Sequence, residues 1–174
     1  MRFLGVLNAA VWLGAAVFRV AVVAPATDSR AMQELFGAGV SSYFSGATEL
    51  IIAEHCFYLQ FACAIIAFAL AQVERLYLGR ELKSFWVCLL AAMIVLGFTG
   101  GFWLNPKLTT LHRAQHARLA SPQAREDAAK SFRVWQGVNS AVNFFLLAGS
   151  GALLWRAGRP PTTTRFLDPG KLRG

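Results

Sequence analysis

Arg19 and Glu54 are charged residues inside otherwise apolar stretches, where they could form an ion pair or a polar site within a membrane. An unpaired charge well inside a bilayer costs about 2.5–3.5 kcal/mol on insertion scales, so each needs a partner or access to water. Arg19 precedes Pro25 by six residues, and Glu54 follows the start of the next apolar stretch by four. At about 1.5 Å per residue both fall roughly 6–9 Å inside the membrane from the same side. The two head groups are expected to face each other in a bidentate contact, with Glu49 as the alternative partner of Arg19. Asn8, Trp12, Ala15 and Arg19 share one helical face by their spacings of four, three and four. His55 projects about 100° away from Glu54, so one of those two faces inward. Gln136, Asn139 and Asn143 enter the last apolar stretch from the same membrane side. Arg19, Glu54, His55, Gln136, Asn139 and Asn143 therefore form the candidate intramembrane site, whether it binds a ligand or holds helices together.

His112 and His116 stand four residues apart, a spacing that aims two imidazoles at one metal ion. HRAQH lacks the glutamate of a zinc protease motif, and a metal would need a third ligand such as Glu126 or Asp127. Bis-histidine haem requires two facing intramembrane histidines, and only His55 is intramembrane. No cofactor is expected from these motifs; haem b on His55 is the alternative that the residues leave open. Cys56, Cys63 and Cys88 all fall in apolar stretches, where cysteine packs as a small apolar residue. No hydrolase triad, phosphate loop or dinucleotide fingerprint is present.

The elements that must position these side chains are transmembrane helices. The chain is 56% hydrophobic and 15% charged, with mean hydropathy +0.46, outside the range of soluble domains. Four stretches match the 20 or so apolar residues that cross a hydrocarbon core about 30 Å thick: 3–23, 50–73, 85–104 and 132–155. The first is expected to stop at Pro25. Asn105-Pro106 can end the third helix and start another, so the third loop is helical. Ser121-Pro122 supplies a capping residue and a first-turn proline, from which the last helix runs to Trp155. The first loop, 26–49, carries Met32, Leu35, Phe36, Val40, Tyr43 and Phe44 at near-helical spacing, interrupted by Gly37, Gly39 and Gly46. It reads as an interfacial or re-entrant helix. The predicted fold is thus an all-α, antiparallel four-helix membrane bundle over 1–157 with a basic tail at 158–174. Gly97 with Gly101, Gly137 with Ala141, and Ala148 with Ala152 offer seams for close helix contact.

Net charge is +8, and the basic residues flank apolar spans, as expected of segments meeting lipid headgroups. The lipid bilayer is the expected partner, and nucleic acid is not. Arg2, Arg75, Arg80, Lys83, Arg156, Arg159, Arg165, Lys171 and Arg173 share the side of the termini. Arg30, Lys107, Arg113, Arg118, Arg125, Lys130 and Arg133 lie opposite. Nine against seven favours cytoplasmic termini, in what reads as a bacterial inner membrane protein. The N-terminal stretch with Ala24-Pro25-Ala26 imitates a secretory signal. Arg19 interrupts it and Pro25 sits within the cleavage motif, so it is expected to be a retained helix.

The chain resembles the membrane family catalogued as domain of unknown function 4149. The resemblance rests on Trp12-Leu13-Gly14, Val23-Ala24-Pro25, Asn105-Pro106-Lys107-Leu108 and Phe132-Arg133-Val134-Trp135-Gln136-Gly137 through Asn143. It implies a four-helix membrane topology over most of 1–157. Members of that family commonly carry histidine where this chain has Gln136, which argues against carrying a haem or metal role to that position. With no complete catalytic constellation, the first expectation is a non-enzymatic accessory or interaction subunit, partnered by other membrane proteins. The alternative is a small transporter or ligand-handling protein using the polar site.

Overall fold

The computed structural model describes residues 2–27, 29–37, 40–78, 84–117 and 119–158. Arg80, Lys83, Arg118 and, beyond Gly158, the expected basic tail lie outside the described residues. Helix α1 spans residues 2–27, as α-helix over Arg2–Phe18, a wider turn over Arg19–Val23 and α-helix again over Ala24–Thr27. Helix α2 is Arg30–Phe36 and α3 is Ser41–Leu78. Helix α4 combines Ser84–Thr99, a second wide turn at Gly100–Leu104, and Asn105–Gln115. Helix α5 is Pro122–Gly158. Among the described residues there is no strand, and four helices are long and apolar enough to cross a membrane.

The two wide turns share a cause. The N–H of Ala24 bonds to the carbonyl of Arg19, and that of Asn105 to Gly100, five residues back where an α-helix would reach four. Each turn is followed, one residue on, by proline: Pro25 and Pro106. Proline has no N–H to give and its ring crowds the carbonyl four residues back. A π-type turn moves that carbonyl aside, so the helix continues with few orphaned backbone groups, which a membrane requires. Both prolines were expected to end helices. Instead α1 runs on to Thr27 and α4 to Gln115.

Helix α1 packs against α3 and α5, and α4 packs against the same two, which leaves α1 and α4 on a diagonal. Neighbours are antiparallel: Phe61 of α3 meets Gly97 of α4, while Trp103 and Trp86 of α4 meet Trp135 and Arg156 of α5. The centre is closed by Trp12, Phe57, Ala64, Leu90, Met93, Leu146 and Leu153, contributed by all four long helices. A second cluster of Leu50, Leu104 and Leu108, backed by Phe132 and Trp135, lies nearer the α2 end. Outward stand Val17, Phe18, Ile65, Ile66, Phe98, Phe144 and Phe145, all exposed. So much continuous apolar surface suits hydrocarbon and not water.

Close helix approach uses only part of the expected seams. A methyl group on Gly97 would lie 3.3 Å from Phe61 Cα, and one on Gly149 would lie 2.7 Å from Met93 Sδ. Gly97 and Gly101 therefore do line the α3 contact. Gly137 has no neighbour within 4 Å of such a methyl, and Ala141 is exposed, so that pair faces lipid. On α5 the close approach is made at Gly149.

The first loop divides in two. Ser29 caps α2 by accepting the Met32 N–H at 3.3 Å, and Gly37, at φ 78°, ends it. Leu35 and Phe36 stay exposed, with Phe36 stacked on Phe44 at 5.0 Å, as an interfacial helix would present them. Tyr43 and Phe44 belong instead to the first turns of α3, so the second membrane helix begins at Ser41 and not at Leu50. Gly46 does not interrupt it. A methyl there would sit 2.5 Å from His112 Cε1, so glycine at this position admits the imidazole.

Ser121 caps α5 as its sequence position predicts, its Oγ accepting the Ala124 N–H at 3.2 Å ahead of Pro122. Ser121→Ala lowers thermal stability in detergent by about 1 kcal/mol, and an unchanged melting curve would show that the cap contributes nothing. Two tryptophan-cation clusters mark the membrane levels. Lys107 Nζ sits 3.9 Å from the Trp135 ring centroid and 5.1 Å from that of Trp103, and Arg156 sits 5.0 Å from Trp86 at the other end. Seventeen residues of α4 separate Trp86 from Trp103. At about 1.5 Å each this is roughly 25 Å, close to one hydrocarbon thickness.

Candidate functional site: a cavity floored by arginine

At the α2 end, α1, α3, α4 and α5 splay around a cavity of about 470 Å³. Its polar lining comprises Arg19, Ser42, Ser45, Glu49, His112, Gln115, His116, Gln136 and Asn139, and its apolar lining includes Leu50, Ala53, Leu108 and Phe132. Ser42, Ser45, Glu49 and Ala53 follow a three-four-four spacing, which puts them on one stripe of α3.

Arg19 lies in the wide turn of α1 and is 8% exposed. Its guanidinium donates a short hydrogen bond to Asn143 Oδ1, and its Cζ lies 5.6 Å from the Phe57 ring centroid. Asn143 is held for this role, because its Nδ2 donates to the Asn139 carbonyl at 2.7 Å and to Asn139 Oδ1 at 3.2 Å. Asn143 lies eight residues inward of Trp135, so the guanidinium sits roughly 12 Å below the aromatic level.

The expected Arg19–Glu54 pair is not formed; the ion pair within 4.0 Å among the described residues is Lys130–Glu126. Glu54 follows Ala53, which faces the bundle centre, and one residue of rotation turns it towards α4. There Tyr58 Oη donates to Glu54 Oε1 at 3.0 Å and Asn105 Nδ2 to Oε2 at 3.5 Å. The acidic residue on the Arg19 side is Glu49, which lines the cavity together with it. His55 turns outward: it is exposed, and its Nδ1–H donates to Ile51 O of its own helix at 2.9 Å. Of the six candidate residues, Arg19, Gln136 and Asn139 line the cavity, Asn143 supports Arg19 from behind, and Glu54 and His55 lie elsewhere.

The histidine pair belongs to this cavity. His112 and His116 share a face, with ring centroids 4.7 Å apart, as their spacing predicts. They do not aim two free lone pairs at one point. His112 Nε2–H donates to the Tyr43 carbonyl at 3.0 Å, and its Nδ1 accepts from Gln115 Nε2 at 3.0 Å, which fixes the neutral ring and occupies both nitrogens. His116 Nδ1–H donates to His112 O at 3.0 Å, which leaves the Nε2 lone pair. No group of three His, Cys, Asp or Glu suited to a metal occurs among the described residues.

By sequence the two histidines form a candidate metal pair apart from this site; Ser42 and Ser45 were missed, and Glu49 stood only as the alternative partner of Arg19, because α3 was expected to begin at Leu50. The signal was present in their helical spacing, continuous with Ala53 and Phe57.

Four antiparallel helices with lipid-facing apolar surfaces and tryptophan-cation clusters near both ends define an integral membrane protein of the all-α bundle class. Comparison with protein-family models, with curated proteins and with solved structures found no match.

Proposed function

We propose that the chain is a small ligand-handling membrane protein, of carrier or transporter type, that holds an anionic group of its ligand on Arg19. One observation carries this: a buried guanidinium deep in the membrane closes on no carboxylate within 4.0 Å, and instead lines an open cavity. Arginine offers five N–H donors in a planar fork suited to carboxylate or phosphate, whereas Asn143 Oδ1 is one acceptor. Fold stabilisation alone would favour an apolar residue or a closed ion pair here. Nothing on the described surface favours the accessory-subunit alternative over this one.

The Lys/Arg asymmetry supports cytoplasmic termini in a bacterial inner membrane, which turns the cavity mouth to the outer side. The motif residues quoted above support membership of the domain of unknown function 4149 family, a proposal on the same footing.

Calorimetric titration of the detergent-solubilised protein with sn-glycero-3-phosphoglycerol, a soluble phosphodiester anion, tests the site. Arg19→Gln weakens binding by about tenfold or more, the loss of a charge-assisted hydrogen bond, and Arg19→Lys weakens it less. Equal binding by wild type and Arg19→Gln overturns the proposal.

A further inference from the structure

We infer that the ligand is a zwitterion, an oxyanion tethered to a primary ammonium, with the oxyanion held by Arg19 and the ammonium by Glu49. This rests on the cavity being a ligand site. Two opposite charges, Arg19 and Glu49, line one space. Their nitrogen and oxygen atoms stay farther apart than 4.0 Å, and the guanidinium bonds Asn143 instead. Two unlike charges facing a shared cavity without closing on each other are arranged for a molecule that bridges them.

The charges are also ordered by depth. Glu49 lies one helical turn outward of Ala53 on α3, while Arg19 reaches Asn143, nearly two turns inward of Gln136 on α5. The anionic end of a bridging ligand therefore points into the membrane and the ammonium points to the mouth. His112 adds no charge, because its two ring nitrogens are engaged by Tyr43 and Gln115 in the neutral form. His116 brings an Nε2 lone pair to the cavity wall, a second acceptor for an ammonium. Leu50, Leu108 and Phe132 provide apolar wall for the connecting carbons.

A simple anion would meet Arg19 but be repelled by Glu49, and a simple cation would meet the reverse. The phosphoethanolamine group carries both charges in the required order. It is presented by a lipid headgroup and by water-soluble phosphodiesters alike.

The matched probes are sn-glycero-3-phosphoethanolamine and sn-glycero-3-phosphoglycerol, which share the phosphodiester and differ in the tethered ammonium. In titrations of the full chain, wild type prefers the ethanolamine ester by about tenfold or more. Glu49→Gln brings the two probes within about twofold of each other, and Arg19→Gln weakens both, with Arg19→Lys as the variant that keeps a cation in place for folding. Native mass spectrometry from bilayers of phosphatidylethanolamine and phosphatidylglycerol forms the second arm, reading which lipid is retained. Binding of the soluble ethanolamine ester identifies a free phosphodiester as sufficient. Selective retention of phosphatidylethanolamine, with no binding of the soluble ester, identifies the lipid. Absence of preference in both arms, or a preference that survives Glu49→Gln, overturns the zwitterion inference. If Arg19→Gln still weakens the anionic probe in that case, the anion site itself stands; if it does not, the ligand site falls as well.

Discussion

Arg19→Ala and Asn143→Ala, measured singly and together by thermal unfolding in detergent, give a coupling of about 1.5–3 kcal/mol, whereas Arg19→Ala and Glu54→Ala add to within about 0.5 kcal/mol. The first value is that of a hydrogen bond to a charged group. The bond is preorganised, since the Asn143 amide is fixed by two donations to Asn139 and so presents Oδ1 to the guanidinium. Asn143→Ala leaves Arg19 with a cavity and the Phe57 ring as its surroundings. Glu54 interacts with Tyr58 and Asn105 towards α4, and removing it leaves the Arg19 contacts in place. Coupling of Arg19 to Glu54 with additivity towards Asn143 would defeat the side-chain arrangement described above.

Gly100→Ala is the second large effect, a loss of about 1–3 kcal/mol from overpacking. The added methyl group would overlap the Phe57 ring, whose side chain is fully buried and lies beneath Arg19. Phe57 is wholly buried within the central cluster, so its retreat disturbs packed neighbours. The displacement reaches the cavity floor, so Gly100→Ala also weakens binding of the soluble phosphodiesters. Gly137→Ala is the matched control, because nothing lies within 4 Å of its added methyl. There the higher helix propensity of alanine leaves stability unchanged or raises it by up to about 1 kcal/mol. Equal losses at both glycines would mean that contact with Phe57 does not set the cost at Gly100.

The four spans were legible because their signal is additive: about 20 apolar residues summed along a helix outweigh any single exception. The inward face of α1, with Asn8, Trp12 and Arg19, was legible for a similar reason, since helical periodicity assigns side chains to faces without knowledge of neighbours. Ser121-Pro122 marked the start of α5 because a cap is a local hydrogen bond. The effect of the two prolines was not legible. Whether a proline ends a helix or is absorbed by a wide turn depends on whether packed neighbours favour continuation, and in α1 and α4 they do.

The partner of Arg19 lay further from reach. Depth along a helix is read from residue counts, and by depth Glu54 was a fitting partner. Azimuth relative to a neighbouring helix is set by how two helices rotate against each other, and the packing of Ala53, Phe57 and Ala64 at the centre turns Glu54 towards Asn105 and leaves Glu49 on the Arg19 side. The histidine pair shows the same division. Sequence spacing put both rings on one face and Gln115 within reach of His112, but only the fold brought the Tyr43 carbonyl to His112 Nε2 and placed both rings in a cavity wall. Membrane insertion, helix number and the polarity of the α2 end follow from the amino-acid order alone. Which polar groups meet, and the space left between them, follow from helix rotation, which long-range packing decides.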